Sequence, residues 1–317
     1  MRCLRLVLIL LWACAGACRK EGVEECSKSD HLETDLSVLN LTDAQRGMVL
    51  STLSGAQIKG NSTLETRARA SLVSVNPHLV YRYLQSSEWA GSYHGQAIGD
   101  AIVETVEWRH MYDFPRLDSN SIAGLVKAGL AYISPVLDKK GRVIFYVRGS
   151  HDGKKESPET YLRLLMYSVE RADRMSVGTE GGQGEFVVIV NLKSFSIFKC
   201  PPMSSMLDGI ALLKKHYPYR LAGIFIVNAG GAFDMLWKIF KPLIPARALR
   251  KTFFLTAKEL SEGTIMDREM GLENVELDFG GTRPPQPLAT DDQVASYLSE
   301  GFWDMRATAA AAAALAA

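Results

Sequence analysis

The chain has 317 residues, 47% hydrophobic and 22% charged, which allows one sizeable core and a smaller flanking unit. Its 36 basic and 35 acidic side chains nearly cancel, which excludes a general nucleic-acid binder working through a broad basic surface. Four of its five cysteines precede position 27, and none forms a C-x-x-C pair, so no disulfide framework is expected.

Met1 to Arg5 carries basic residues, Leu6 to Ala13 is apolar, and Ala15-Gly16-Ala17 is small. That is the order of a secretory signal peptide over residues 1–18, too short to span a bilayer. An ordinary hydrophobic N-terminus gives the same pattern. Asn40-Leu41-Thr42 and Asn61-Ser62-Thr63 accept glycans only on the secretory route, and chance tripeptides look alike. Residues 19–63 read as a polar linker with a helix beginning near Thr42. A helical unit over 64–117 follows, with helices at Leu64–Val75, Pro77–Ser86 and Gln96–Met111. The last has Ile98, Ile102, Val103, Val106 and Met111 on one face.

Asp138 to Arg142 is a polar turn that feeds the strand Val143–Arg148. Ser157 caps a helix with Pro158 in its first turn and Tyr161, Leu164, Leu165, Ser168, Ala172 and Met175 inward. The Gly-rich run Gly178–Gly184 precedes a strand, whereas a dinucleotide fingerprint follows one, so it reads as a connector. Phe186–Val190 is a buried strand. The next helix, capped by Ser204 or Ser205, carries Met206, Ile210, Leu213 and Tyr217 on one side. Gly223 opens the strand Ile224–Val227, and Asn228–Gly231 is a turn. An amphipathic helix then sets Phe233, Leu236, Trp237 and Phe240 against Asp234, Lys238 and Lys241 until Pro242 interrupts it. After the strand Thr252–Leu255, the pair Gly280-Gly281 suits a turn needing positive φ. Beyond Pro287, Thr290-Asp291-Asp292-Gln293 is a capping box for a short helix with Val294, Tyr297 and Leu298. Ala307–Ala317 is low complexity. Strands alternating with helices imply a largely parallel, covered sheet.

Several motifs resemble, in order, those of the CRAL-TRIO lipid-binding family, the phosphatidylinositol/phosphatidylcholine-transfer-like proteins. They are Val80-Tyr81-Arg82-Tyr83-Leu84, Thr105 to Arg109, Asp138 to Arg148, Tyr217-Pro218-Tyr219-Arg220, Val227-Asn228-Ala229, Trp237 to Ile244, Lys251 to Leu255, and Glu276 to Thr282. The resemblance implies an α/β fold with a mixed, mostly parallel sheet flanked by helices over residues 118–283, a gated apolar cavity, and a tail over 284–317. The Trp237 helix is then the gate. Phe233, Leu236, Trp237, Phe240 and Ile244, with Tyr146, Val188, Val190, Phe225, Val227 and Phe253 from the sheet, are the expected lipid contacts. Lys238 and Lys241 face the membrane. In the phosphoinositide-binding branch a Glu, a Thr and a Lys hold the headgroup; here Tyr219 and Ala248 replace the first two, and Lys251 alone remains. A neutral lipid, sterol-like or isoprenoid ligand stays open. The resemblance places the chain in the cytosol or on a membrane surface, against the signal-peptide pattern.

No G-x-S-x-G, H-E-x-x-H or Walker sequence occurs, and the six histidines offer no i,i+4 pair for a metal. His151-Asp152 sits on a polar loop as an ordinary surface pair. The expectation is a non-enzymatic protein without cofactor or metal, whose partners are a lipid and, transiently, a membrane. A two-chain lipid leaving a bilayer exposes roughly 20 kcal/mol of apolar surface, which a carrier must cover. From periodicity alone, the aromatic stripe suits a solid core better than a cavity lining, and the resemblance reverses that preference. With a solid core the chain would be a protein-binding scaffold or small-GTPase regulator using the same fold.

Overall fold

The computed structural model describes residues 41–55, 77–111, 120–149, 156–175, 185–196, 203–241 and 246–302. The candidate signal, Leu64–Val75, His151-Asp152, the Gly-rich run, Ile244 and the Ala-rich end lie outside the described residues.

The N-terminal elements are α1 (Asp43–Gly55), α2 (Pro77–Ser86), the short hairpin β1 (Ser92–Tyr93) and β2 (Gln96–Ala97), and α3 (Ile98–Met111). Thr42 begins α1 with a reciprocal cap: Gln45 N donates to Thr42 Oγ1 at 3.3 Å, and Thr42 N donates to Gln45 Oε1 at 3.0 Å. The helix expected from Gln96 starts two residues later, because Gln96 pairs with Tyr93 across a turn. Ile98, Ile102 and Val106 are buried as the spacing requires, but Met111 at the helix end is 77% exposed. Arg109 takes the buried place in that last turn. It pairs with Glu170 through both guanidinium nitrogens, one of them at 2.9 Å.

The main sheet has the order β3 (Ala131–Leu137), β4 (Val143–Arg148), β5 (Phe186–Asn191), β6 (Leu221–Val227), β7 (Thr252–Leu255). β3 is antiparallel to β4 and every other pair is parallel. β3 and the helix α4 before it (Asn120–Lys127) are additions to the sequence reading. The Asp138 turn is fixed by its own carboxylate, whose Oδ1 accepts from Lys140 N and Arg142 N. β6 begins at Leu221, two residues before the glycine expected to open it. Gly223 therefore sits inside the strand, where an added Cβ would meet the Phe225 ring at 3.3 Å.

The connections are α5 (Pro158–Met175) between β4 and β5, α6 (Met203–His216) between β5 and β6, and α7 (Gly231–Phe240) with α8 (Ala246–Arg250) between β6 and β7. α6 starts at Met203, which puts Ser204 and Ser205 inside its first turn rather than at its cap, and α7 starts at Gly231, the last residue of the expected turn. Each crossover joins neighbouring parallel strands in the same direction, and the near-universal right hand stacks such helices on one face. The opposite face is covered by the segment after β7: α9 (Ala257–Glu262), α10 (Thr264–Met270) and two 3-10 turns, Leu272–Asn274 and Leu277–Phe279. α11 (Asp291–Phe302) closes the described chain, with Thr290 and Gln293 forming the expected reciprocal cap. Gly280 has φ 97°, as a paired-glycine turn requires. Its neighbour Gly281 is needed for a different reason, since a Cβ there would lie 2.0 Å from Val275 O.

One apolar cluster spans the sheet and its helices. A second, smaller one (Val49, Val80, Tyr83, Leu84, Tyr93, Ile98, Ile102) holds the N-terminal helices together. The two are joined at the end of α6. Tyr83 Oη donates to Lys215 O at 3.2 Å, Thr105 Oγ1 meets His216 Nδ1 at 2.9 Å, and the Trp108 ring stacks on His216 at 4.1 Å.

Candidate functional site

The ends of β6 and β7 and the helix α7 define the site. Pairing puts Val147, Val190, Ile226 and Phe254 in one row across β4 to β7, so their side chains share a face. Phe233 of α7 is fully buried and lies 5.9 Å from the Phe254 ring, 6.0 Å from Phe195 and 6.1 Å from Trp237. Trp237 meets Phe254 edge-on at 4.8 Å. Among the described residues, α7 meets the sheet through an aromatic group at its edge. Such rings attract through dispersion and quadrupoles, and tolerate sliding better than hydrogen bonds do. Asp234, Lys238 and Lys241 are exposed. The N-cap Gly230 offers no side-chain cap, and backbone bonds from Phe233 N and Asp234 N to Gly230 O begin the helix.

The expected contacts divide by face. Phe233 and Trp237 meet the face that carries Val190 and Phe254, and Val188 lies on the same face one pleat away. Tyr146, Phe225 and Phe253 form a row on the other face, as do Asn191, Val227 and Leu255 in the next. There Phe225 stacks on Phe253 at 5.1 Å, and Tyr146 packs on Phe279 at 4.4 Å. Leu236 and Phe240 are on α7, but their side chains lie outside the described residues. Sequence reasoning passed over Phe254 and Phe195. Phe253 and Phe254 are adjacent on a strand and so point to opposite faces, 41% and 37% exposed. Only the position of α7 distinguishes them. For Phe195, just past β5, no periodic signal exists.

Lys251 sits at the start of β7 and is already engaged. Its Nζ donates to Leu221 O at 2.6 Å, lies 3.6 Å from Glu185, and stands 5.4 Å from the centre of the Tyr219 ring. Tyr219 has φ 55° and accepts from Gln85 Nε2 at 3.1 Å. Its ring meets Tyr81 edge-on at 6.1 Å, so it leans on the N-terminal helices. Ala248 is buried, and its carbonyl accepts from Lys251 N and Thr252 Oγ1. Beside them Arg220 and Arg82 both reach Asp173. Burial drives the Arg82 guanidinium down to about 10 and the Arg220 guanidinium well below its usual range. His216, desolvated at the joint between the two clusters, falls to about 3 and stays neutral at physiological pH. Among the described residues no group of His, Cys, Asp and Glu is placed to hold a metal. No helix among them is long and apolar enough to cross a membrane.

A mostly parallel sheet covered by helices, with an aromatic-bearing helix in its last crossover, defines an α/β domain. Residues 127–281 match the family model of the CRAL/TRIO domain. Residues 127–281 therefore form a domain of the CRAL-TRIO family, a family of lipid-binding proteins. A CRAL-TRIO domain-containing protein of Schizosaccharomyces pombe is 26% identical over 204 residues, covering 64% of this chain and 18% of that protein. The SEC14 cytosolic factor of Eremothecium gossypii is 24% identical over 178 residues, 52% of this chain and 56% of that one. Both matches thus span well under two thirds of the relatives' own lengths. The crystal structure of Sfh5 superposes with a TM-score of 0.44 at 13% identity, over 64% of this chain and 74% of that one.

Proposed function

We propose that this protein binds a hydrophobic lipid in an enclosed cavity closed by α7, and transfers or presents it between membranes without catalysing a reaction. The observation that carries the reading is the aromatic group of Phe233, Trp237, Phe254 and Phe195, through which the described side chains of the gate helix meet the sheet. A gate must open at low cost, and a latch without buried polar bonds leaves none unsatisfied when it moves. Lys238 and Lys241, exposed on and just after the same helix, are the proposed contacts with anionic headgroups at the membrane surface. Phe233, Leu236, Trp237, Phe240 and Ile244, with Val188 and Val190 below, are the proposed tail contacts. Tyr146, Phe225, Val227 and Phe253 reach the same ligand only where it extends around the β7 edge of the sheet.

Lipid extracted from purified protein and identified by mass spectrometry tests the reading directly, together with exchange between labelled vesicles. Trp237→Asp is expected to abolish retention while leaving the far-ultraviolet spectrum and most of the thermal stability intact. No copurified lipid and no exchange would overturn the proposal in favour of a protein-binding scaffold. For the headgroup, Lys251 is the proposed charge, and it must leave its contacts with Leu221 O and Glu185 to reach a phosphate. Lys251→Ala is expected to weaken retention of an anionic lipid several-fold and leave a neutral one unchanged. Equal retention of both by the variant removes Lys251 from the site.

A further inference from the structure

On the face of the sheet away from α7, the carboxyl ends of β4, β5 and β6 open into a polar cleft of about 520 Å3. Arg148, Asn191, Lys193, Ser194, Asn228 and Asp278 contribute to its lining. Crevices outside the carboxyl ends of parallel strands are where open α/β sheets bind ligands, and this volume is that of a small-molecule site. Phe233 and Trp237 of the gate helix do not line it.

The cleft is built, not left over. Asn191 Nδ2 donates to Asp278 O at 2.5 Å, and its Oδ1 accepts from Lys193 N at 2.9 Å and Asn228 Nδ2 at 3.0 Å. One amide therefore ties together the loops after β5 and β6 and the segment that covers them. Ser194 (φ 59°) and Asn228 (φ 56°) hold left-handed backbone at the two strand ends, a conformation that costs free energy for a non-glycine residue. The charge is asymmetric. Arg148 donates to the Asp278 carboxylate at 2.6 Å, which cancels that pair, while Lys193 is exposed and meets no carboxylate among the described residues.

We propose that this cleft is a second binding site, for a small phosphate monoester that also carries hydroxyl groups. Lys193 holds the phosphate as a point charge, and the Arg148 guanidinium lies behind it. The Asn228 amide, the Ser194 hydroxyl and the free lone pairs of Asp278 meet the ligand's hydroxyls. The site is separate from the lipid cavity, so its loss leaves lipid retention unchanged. The same chemistry arrives from two sources, a soluble phosphate ester or the headgroup of a membrane phosphate ester.

The test is amide chemical-shift titration of the full chain with glycerol phosphate. Lys193, Ser194 and Asn228 are expected to shift together and to saturate. Lys193→Ala is expected to weaken binding about tenfold, the loss of one charge-assisted contact. Asn228→Gly, which keeps the left-handed backbone without strain, is expected to weaken it several-fold. Lys127→Ala, on the far side of α4, serves as the control that leaves affinity unchanged. Phosphatidylcholine vesicles doped with phosphatidic acid separate the sources: displacement of glycerol phosphate assigns the site to a membrane headgroup, and no displacement assigns it to a soluble ester. Shifts that never saturate, or a Lys193→Ala variant that binds like the parent, overturn the proposal.

Discussion

The two faces of the central sheet are closed by opposite means. On the face carrying Tyr132, Tyr146, Arg148 and Asn191, the segment after α10 is clamped by directional bonds. Tyr132 Oη donates to Glu276 at 2.6 Å, Glu276 N donates to Tyr146 Oη at 3.1 Å, and Arg283 donates to Ser134 Oγ at 3.2 Å. Glu276 is fully buried, and its other oxygen accepts from Gln286 N at 3.0 Å. Burial raises its carboxyl above the usual range, against the pull of these donors and of Arg148 and Arg283. On the other face the described side chains of α7 meet the sheet through rings, and Phe254 beneath it remains partly exposed. Hydrogen bonds in a dry interior admit one geometry, whereas ring contacts admit many of similar energy. One face is therefore fixed by directional bonds, and the proposed function requires the α7 contacts on the other to yield.

The strongest way to break this contrast is at the clamp. Gly281→Ala would set a methyl 2.0 Å from Val275 O, a backbone atom that cannot yield. It is expected to destabilise the protein by more than about 4 kcal/mol, read as a collapse of the thermal midpoint or as insoluble expression. A fully folded Gly281→Ala protein would show that the clamp is looser than its bonds imply. At the proposed gate, α7, the effect is expected to be smaller in stability and larger in function. Phe254→Ala is expected to cost about 2 kcal/mol, because the ring is only partly buried, and to speed lipid exchange between vesicles. If exchange is unchanged while stability falls by the full core value, the gate face is an ordinary core. The smallest effect is at the joint between the two apolar clusters. His216 is neutral when folded, with a value near 3, but titrates near its usual value of about 6.5 when unfolded. The unfolded chain thus binds more protons between those limits. The His216 contribution is complete above about pH 6.5 and declines as pH falls toward 3. Denaturant titrations of the parent and of His216→Gln are expected to converge over that window. A constant difference at every pH would show that His216 is not desolvated as placed.

Much of this was legible in residues. The buried strand at Phe186–Asn191, the position of the strand Thr252–Leu255, the inward face of α5, the Thr290 cap and the Gly280 turn all follow from local rules that need no partner, although Thr252–Leu255, an edge strand, buries only Leu255. β3 was not legible, because Ala131–Leu137 contains Ser134 and Pro135 and alternates poorly. An edge strand tolerates both. Nor was the partition of the candidate site. Tyr146, Phe225 and Phe253 have the composition of a cavity lining, yet register sends them to the face away from α7. Tyr219 occupies the place of a headgroup acid in the motif, and packing turns it toward the N-terminal helices, against Tyr81 and Gln85.

The sequence by itself determined the alternation of strands and helices, their parallel assembly and the amphipathic character of α7, since these depend on spacing along one chain. Only the tertiary structure decided which phenylalanine of β7 meets α7, that Lys251 is held by a backbone carbonyl, and that three strand ends share a polar cleft. Each is a relation between residues distant in sequence, fixed by sheet register, and a one-residue change of register would send every such side chain to the other face.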